Sequence, residues 1–277
     1  MSRLAALHRT AVMGVVNVTP DSFSDGGLWW EPAKAIAHGL DLHGQGADLL
    51  EVGGESTRPG AQRPDVAEEH RRVLPVVGAL VAAGCTVSID TMRASVAEAA
   101  LDAGAVMVND VSGGLADPDM LPLVADRAVP YVCMHWRGPS ATMQQHTDYR
   151  DVVEDVRAEL AARIDAVQAA GIDPAHLIID PGLGFAKTSE QNWTLLKRLD
   201  RFLDLGQPLL LAASRKAFLG KLLADEHTGH PRPARQRDHA SAALSTLGAQ
   251  AGVWCVRVHD VVSSLDAVRV VARLAQG

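Results

Sequence analysis

Carboxylate, amide, imidazole and cationic side chains recur where short apolar segments of this sequence end. A single asparagine or aspartate at such a place is often only a turn former or a helix cap. Their repetition after every apolar segment instead indicates one polar site for a small molecule. The residues are Asn17, Glu55, Asp90, Asn109, His135, Asp180, Lys216, Arg257 and His259.

Three polar segments suggest that the small molecule is anionic and phosphorylated. Residues 17–27 (NVTPDSFSDGG) combine a proline, polar groups and paired glycines, as expected of a loop that closes over a site. Residues 53–60 (GGESTRPG) offer backbone N–H groups and the guanidinium of Arg58, which suit a phosphate or a carboxylate. Residues 214–216 (SRK) follow the seventh apolar segment, where barrels commonly bind phosphate. On the eighth segment, Arg257 and His259 share one orientation because strand side chains alternate.

The composition is that of a globular chain without a general anion-binding surface. Of its 277 residues, 47% are hydrophobic, which is enough apolar material for a large core. The formal net charge of −7 argues against a nucleic acid or an anionic membrane as a partner, since either would need a basic face. Residues 1–10 lack the apolar core of a signal peptide, and no apolar run is long enough to predict a membrane span. We therefore expect a cytoplasmic protein.

The cysteines and the histidine-rich stretch do not predict redox or metal centres. Cys85, Cys133 and Cys255 lie within or beside strand-like segments and show no C-x-x-C spacing. Buried, reduced thiols explain them best, because a catalytic cysteine would need a neighbouring base and the sequence offers none. Residues 226–239 (EHTGHPRPARQRDH) lack metal-ligand spacing and are predicted to form an exposed loop.

Short segments rich in valine, isoleucine and leucine alternate with longer segments of helical period along the chain. This alternation is typical of parallel strands joined by crossover helices. Eight such units without a break in composition favour an α/β fold, a closed (β/α)8 TIM barrel, in a single domain of residues 1–277. The predicted strands are residues 12–18, 48–52, 86–90, 106–110, 131–135, 177–180, 209–214 and 254–259.

Local signals mark the ends of several predicted helices. Pro32, Asp65 and either Ser263 or Ser264 are predicted to lie at helix starts. Four glycines follow helical segments and are predicted to end them in the left-handed conformation: Gly46, Gly84, Gly104 and Gly171. In a parallel barrel the carboxyl ends of all strands share one face, so the strand-end residues are predicted to form one site.

Six segments of the chain stand out as motifs: residues 14–27 (GVVNVTPDSFSDGG), 54–61 (GESTRPGA), 88–91 (SIDT), 109–113 (NDVSG), 180–185 (DPGLGF) and 214–216 (SRK). With the RVHDV segment at residues 257–261, they cover essentially the whole chain in order. Together they resemble the dihydropteroate synthase family.

The resemblance implies a transferase that joins 4-aminobenzoate to 6-hydroxymethyl-7,8-dihydropterin diphosphate. The products would be 7,8-dihydropteroate, a precursor in folate biosynthesis, and pyrophosphate. Because the amine of 4-aminobenzoate is already nucleophilic, the site would mainly position the substrates and exclude water. The same resemblance implies that sulfonamides compete with 4-aminobenzoate and that the protein is a homodimer.

The resemblance also assigns residues to the parts of the substrates. Asn17 would hold Mg²⁺ on the diphosphate, and Asp21 would approach the reacting centre. The pterin residues would be Asp90, Asn109, Met134, Asp180, Lys216 and Arg257. The 4-aminobenzoate residues would be Thr57, Arg58, Pro59, Phe185 and Ser214, and the diphosphate residues Asn17, Arg58, Arg257 and His259. Catalysis would depend on Asp21, Arg58, Lys216, Arg257 and His259.

Two alternatives share parts of this pattern. A pterin-binding methyltransferase barrel would have the same fold and pterin carboxylates, but it has no need of residues 54–61 and the SRK motif. A non-catalytic pterin-binding relative is disfavoured by the intact first two loops. One departure is Ala212, where many members of the family carry glycine, and its methyl group is expected to narrow the pterin pocket. Glu55 and His135 receive no individual role.

Overall fold

The computed structural model describes residues 7–19, 31–56 and 63–276. Within these ranges, eight short strands form one parallel sheet. Nearly all their residues are buried, as expected for strands that are covered on both faces. The strands are β1 (Ala11–Asn17), β2 (Leu49–Gly53), β3 (Val87–Asp90), β4 (Met107–Asp110), β5 (Tyr131–Met134), β6 (Leu177–Asp180), β7 (Leu210–Leu211) and β8 (Cys255–Val258).

The sheet closes on itself. Its hydrogen-bonded neighbours follow the order β6-β5-β4-β3-β2-β1-β8-β7. A parallel bridge between Ile179 and Leu209 joins β6 to the segment before β7. The (β/α)8 TIM barrel predicted from the sequence is therefore confirmed. Strand β7 ends at Leu211, before the predicted end at residue 214, because the chain leaves the sheet and turns at Arg215, whose φ is +58°.

Helices connect the strands around the barrel. Asp65 caps its helix as predicted, since its carboxylate accepts from Glu68 N at 2.8 Å. The predicted start of the last helix at Ser263 or Ser264 was wrong, because Asp260 caps the helix and Val261 is its first residue. Within the described ranges the α-helices are α1 (Pro32–Gly44), α2 (Val66–Ala82), α3 (Ala94–Asp102), α4 (Met120–Arg127), α5 (Val152–Ala169), α6 (Ser189–Lys197), α7 (Leu199–Leu203), α8 (Ala217–Leu222), α9 (Asp238–Ala251) and α10 (Val261–Ala275).

Three smaller predictions, on the helix-end glycines, the cysteines and residues 226–239, are also confirmed. The four glycines expected at helix ends all have positive φ, between 83° and 101°. The three cysteines are buried free thiols. Residues 226–239 are mostly exposed, although Ala234–Arg237 form a 3₁₀ turn and α9 begins at Asp238. In the described part of the chain, no helix has the length and apolar character needed to cross a membrane.

Two apolar layers hold the barrel together. The larger layer packs the outward faces of the strands against the helices. The smaller layer fills the inside of the barrel near the amino-terminal ends of the strands, and we call it the inner plug. It consists of Ala11, Met13, Leu49, Met107, Val132, Ile178, Leu210 and Cys255. Because the inner plug fills the amino-terminal end of the barrel interior, inward side chains further along the strands face its carboxyl-terminal end.

Candidate active site

The site begins directly above the inner plug. Side chains alternate along a strand, so the residue two positions after each inner-plug residue also faces the barrel interior. At this level, apolar residues give way to polar ones on β2, β4, β6 and β8. These four residues are Glu51, Asn109, Asp180 and Arg257. The polar side chains therefore converge at the carboxyl ends of the strands, where barrel enzymes place their chemistry.

Arg257 links two carboxylates at the centre of this level. Its Nε donates to Glu51, and its Nη2 donates to Asp90 Oδ2 at 3.0 Å. Asn109 Nδ2 donates to the other oxygen of Glu51, at 2.7 Å. Glu51 is fully buried, and Asp90 and Asn109 are nearly so. These four residues, from four different strands, form one hydrogen-bonded group that we call the arginine cluster.

The arginine cluster contains more carboxylates than cations. Burial raises the pKa of Asp90 to about 8, the charge of Glu51 adds to the rise, and Arg257 opposes it. Burial also raises the pKa of Asp180, against a 2.7 Å hydrogen bond from Gly182 N and the charges of Lys216 and Arg257. Buried acidic groups are stabilised by a ligand that donates hydrogen bonds to them. This level of the barrel therefore suits a ligand with several N–H groups.

An apolar wall stands beside these polar groups. It consists of Met92, Val111, Met134, Met143, Phe185 and Ala186. Lys216 Nζ lies 4.4 Å from the centroid of the Phe185 ring, which is a cation–π distance. Met134 is in register with Asp180 across β5 and β6, so apolar and acidic groups adjoin each other. A flat, polar-edged ring would meet both kinds of surface here.

Three more predicted residues lie at the same end of the barrel. Ser214 Oγ and His259 Nδ1 are 3.0 Å apart, and His259 N donates to the same oxygen at 3.2 Å. Asn17 ends β1 in register with Gly53 of β2, which is in turn in register with Asp90 of β3. The predicted residues Asp21, Thr57, Arg58 and Pro59 lie outside the described residues.

Comparison with known proteins agrees with this geometry. The family model described as pterin binding enzyme matches residues 13–259. The dihydropteroate synthase of Mycobacterium leprae is 56% identical over 267 residues, which cover 96% of this chain and 94% of the relative. The chain belongs to the dihydropteroate synthase family.

Solved structures of dihydropteroate synthases have the same architecture. The enzyme of Yersinia pestis, solved as a sulfonamide drug complex, superimposes with a TM-score of 0.91 at 37% identity, covering 99% of this chain and 96% of that one. The enzyme of Xanthomonas albilineans with 4-aminobenzoic acid gives a TM-score of 0.86 at 47% identity, covering 97% and 94%. The same enzyme in complex with 7,8-dihydropteroate gives 0.82 at 45% identity, again covering 97% and 94%. The barrel described above is therefore the fold of this family.

Glu55 and His135 are the strand-end residues of this dihydropteroate synthase family member to which the sequence assigned no individual role. Glu55 pairs with Arg63 at 2.9 Å, and burial raises the pKa of Glu55. His135 is buried, with Lys187 Nζ 3.0 Å from its Nδ1 and Glu159 Oε2 2.8 Å from its Nε2. Both residues therefore contact charged side chains that lie outside the arginine cluster.

Glu51 and Lys187 are among the buried charged residues of the dihydropteroate synthase barrel that the sequence predictions did not include. Glu51 lies inside a strand, whereas the predictions considered strand ends. Its signal is a carboxylate in the otherwise apolar segment LLEVG, at a position that alternation turns inward. Lys187 follows the DPGLGF motif, where neither periodicity nor spacing distinguishes it from an exposed loop lysine. Only the folded loop shows that it is 3% exposed.

Proposed function

We propose that the chain joins 4-aminobenzoate to 6-hydroxymethyl-7,8-dihydropterin diphosphate and releases 7,8-dihydropteroate and pyrophosphate. The observation that carries the proposal is the buried set of Asp90, Asn109 and Asp180 above the inner plug, beside an apolar wall. A pterin is a flat ring with donors and acceptors along its edges, so this combination of surfaces complements it.

In the proposed complex, Asp180 accepts from the amino and ring N–H groups at one edge of the pterin. Asp90 and Asn109 complement another part of the ring edge. The 2.7 Å hydrogen bond from Asn109 Nδ2 to Glu51 fixes the amide plane, so that Oδ1 is oriented to accept from a ligand N–H. Lys216 completes the pocket from the far side. In the same complex, Met134 contacts the ring face and Arg257 borders the pterin.

The diphosphate is proposed to lie above the pterin, at the ends of β1 and β8. Arg58, Arg257 and His259 would stabilise the negative charge that grows on it as it leaves, and losing one such preorganised donor typically costs about 10²- to 10³-fold in rate. The described residues contain no group of three or more His, Cys, Asp or Glu side chains that could hold a metal ion. A magnesium ion held mainly by substrate phosphates needs only one or two protein ligands, so the amide oxygen of Asn17 fits it. Mg²⁺ would neutralise part of the diphosphate charge when bound.

The reaction needs one new bond and one broken bond. The amine nitrogen of 4-aminobenzoate bonds to the pterin methylene carbon as the C–O bond breaks, and the departing pyrophosphate keeps the bonding electron pair. The amine then loses one proton to water or to pyrophosphate. Phe185 and Ser214, with Thr57, Arg58 and Pro59, are proposed to hold 4-aminobenzoate in line with this carbon, and Asp21 to approach it.

Pyrophosphate release by the purified protein tests the proposed function. We expect release only when 4-aminobenzoate, the pterin diphosphate and Mg²⁺ are all present, with one equivalent of dihydropteroate formed per pyrophosphate. Release without 4-aminobenzoate would instead indicate hydrolysis, and no coupled product would rule out the synthase. A variant with Asp180→Asn, which keeps the size of the side chain but removes its charge, is the control for the pterin site.

Sulfonamides are proposed to compete with 4-aminobenzoate, because they carry the same aromatic amine on a ring of similar size. The Yersinia pestis relative was solved with such a drug. We expect a sulfonamide to raise the apparent KM for 4-aminobenzoate without lowering kcat. A fall in kcat at saturating 4-aminobenzoate would place the drug elsewhere.

A homodimer is proposed to form through α9 and α10. These two helices pack against each other and leave Leu247, Val270 and Leu274 more than half exposed. Exposed apolar surface of this kind is suited to contact with another protein. Sedimentation of the wild-type protein and of a variant with Val270→Lys tests this: we expect a dimer and a monomer, respectively. A cytoplasmic location is also proposed, and the three buried free thiols support it.

A further inference from the structure

Lys187 is a buried cation that the proposed reaction does not use. It lies between β6 and α6 and is 3% exposed. Its Nζ lies 3.0 Å from each of three acceptors: the carbonyl oxygens of Gly182 and Phe185, and Nδ1 of His135. Burial lowers the pKa of Lys187 to about 7. The three acceptors nevertheless match the three N–H donors of an ammonium group, whereas a neutral amine has only two, so the contacts favour the charged form and use its full capacity. The polar contacts of Lys187 Nζ are therefore made within the protein itself.

The carbonyl groups that Lys187 binds belong to the loop of residues 181–186. This loop is tightly wound, because Gly182, Gly184 and Ala186 all have positive φ. A side chain at Gly182 would meet the backbone oxygen of His135 at 2.5 Å, so the loop has little room to shift. Asp180 precedes the loop and Phe185 lies near its end. The position of both residues thus depends on a backbone whose carbonyl groups turn toward one buried ammonium.

His135 connects this ammonium to the surface of the barrel. Burial and the nearby charge of Lys187 lower the pKa of His135 to about 4, so the ring is neutral near pH 7. Because Nδ1 accepts from Lys187, the ring proton must lie on Nε2, which donates to Glu159 Oε2 at 2.8 Å. Arg137 in turn donates to Glu159, which belongs to helix α5. The Arg137 guanidinium also stacks over the Tyr149 ring, 3.8 Å from its centroid. Only the His135 tautomer protonated on Nε2 satisfies the hydrogen bonds of Lys187, His135 and Glu159.

We propose that Lys187 is a positioning residue that holds Asp180 and Phe185 in their binding geometry, and that His135 and Glu159 set its orientation. The inference rests on the proposed function, because it assumes that these two residues bind the pterin and 4-aminobenzoate. It gives His135, a strand-end residue without a role in the reaction, a defined task. We call Lys187, His135 and Glu159 the loop clamp.

Amide hydrogen exchange in the loop tests the clamp without any substrate. In Lys187→Met, we expect residues 182–185 to exchange at least about tenfold faster than in wild type, as the loss of a hydrogen bond to a charged group predicts. Exchange in α5 should not change, which also shows that the variant is folded. Lys197→Met, at an exposed lysine of α6, is the matched control. Unchanged loop exchange in folded Lys187→Met would refute the clamp.

Ligand binding separates the clamp from the proposed function. We expect Lys187→Met to weaken binding of 6-hydroxymethylpterin by about tenfold or more, measured by calorimetry, and to raise the KM for the pterin diphosphate more than it lowers kcat. Unchanged pterin affinity in this variant would overturn the positioning role. If wild-type protein bound no pterin at all, the proposed function would fail, and the exchange experiment would still decide whether the clamp holds the loop.

A pair of His135 variants tests the clamp if Lys187→Met does not fold. In His135→Asn, the amide oxygen takes the place of Nδ1 and still accepts from Lys187, whereas His135→Leu removes the acceptor. We expect loop exchange close to wild type in the asparagine variant and several-fold faster in the leucine variant, as expected when one acceptor of a buried cation is lost. Equal exchange in the two variants would contradict the proposal. Nitrogen NMR of wild type should also show His135 protonated only on Nε2 at pH 7.

Discussion

An arginine contacts carboxylates at each end of the barrel, and the two arrangements differ in how completely the charges are matched. At the amino-terminal end, Arg9 binds Asp48 through two hydrogen bonds of 2.7 and 2.8 Å, and Asp48 also accepts from Val12 N. One cation there meets one anion. At the carboxyl end, Arg257 is shared between Glu51 and Asp90.

The difference shows how one barrel separates stability from ligand binding. The amino-terminal pair has a partner for each charge, so it fastens β1 to β2 and leaves nothing for a ligand. The arginine cluster has one cation for two carboxylates, and Asp180 adds a third buried carboxylate nearby. Ionising all three is costly in the empty protein, which is why the pKa values of Asp90 and Asp180 are raised, and a ligand that donates N–H groups lowers this cost. Incomplete matching of charge therefore marks the functional end.

The largest effect is expected from removing the shared arginine. Arg257→Ala should lower kcat/KM by about 10²- to 10³-fold, because the variant loses both a preorganised donor and the partner of two carboxylates. It should also lower the free energy of unfolding by about 3–5 kcal/mol, the usual cost of breaking a buried ion pair from one side. Steady-state pyrophosphate release and urea unfolding measure the two effects. A loss in kcat/KM below about tenfold, or 1.4 kcal/mol, would mean that Arg257 is mainly structural.

Removing one charge from the surplus should have a smaller effect. Glu51→Gln keeps the shape of the side chain but removes a charge that raises the pKa of Asp90, so this pKa should fall from about 8. Because burial also raises it, the pKa should stay above its ordinary value. Carbon NMR of the Asp90 carboxyl group measures the change. An unchanged Asp90 pKa would show that Glu51 does not act on Asp90 through its charge.

The sign of the accompanying pH effect follows from linkage. The pKa of Asp90 is higher in the folded state than in the unfolded state, so this side chain stabilises the folded state at low pH. The contribution is fully present below the unfolded-state pKa, near 4, and is lost as pH rises toward the folded-state pKa of about 8. Wild type should therefore show an Asp90 contribution to the unfolding free energy that declines over this window. Glu51→Gln should make the decline smaller. A steeper decline in the variant would reverse the assigned role of Glu51.

The sequence predicted the barrel well because each of its elements is a local pattern. Apolar strands, capped helices such as the one that Asp65 begins, and left-handed glycines can all be recognised without knowing the partner segments. The site was predicted only where residues lie at strand ends or match the motifs of the family. Glu51 was missed because its importance depends on Arg257 and Asn109, which are 206 and 58 residues away in the chain.

The sequence pattern also contains no signal for the backbone conformation of an individual residue such as Arg215. Arg215 belongs to the SRK motif beside Ser214 and Lys216, and its charge type suits an anion site. In the fold its backbone has a φ of +58°, and its guanidinium pairs with Asp238 at 2.6 Å. The left-handed backbone of Arg215 thus gives this residue a structural role, whereas the residues on either side of it are functional. Alternation rules for strands do not apply in such a turn.

The amino-terminal ion pair of Arg9 and Asp48 tests whether that end of the barrel contributes to stability without contributing to activity. Arg9→Met should lower the free energy of unfolding by about 1–3 kcal/mol, the usual range for hydrogen bonds to charged groups. The kcat/KM should remain within about twofold of wild type, since the inner plug separates this pair from the pocket. Urea unfolding and the pyrophosphate assay are again the measurements. A loss of activity comparable to that of Arg257→Ala would remove the distinction between the two ends.

The smallest effect is expected at Ala212, which follows β7 and, two residues after the inner-plug residue Leu210, faces the barrel interior. Ala212→Gly should change pterin affinity by less than about fourfold, because one methyl group contributes about 0.8 kcal/mol at most. The matched control is Ala213→Gly, since Ala213 packs in the outer layer against the helices. The control should lower stability and leave pterin affinity unchanged. If both variants changed affinity equally, Ala212 and Ala213 would not alternate between the barrel interior and the outer layer as strand residues do.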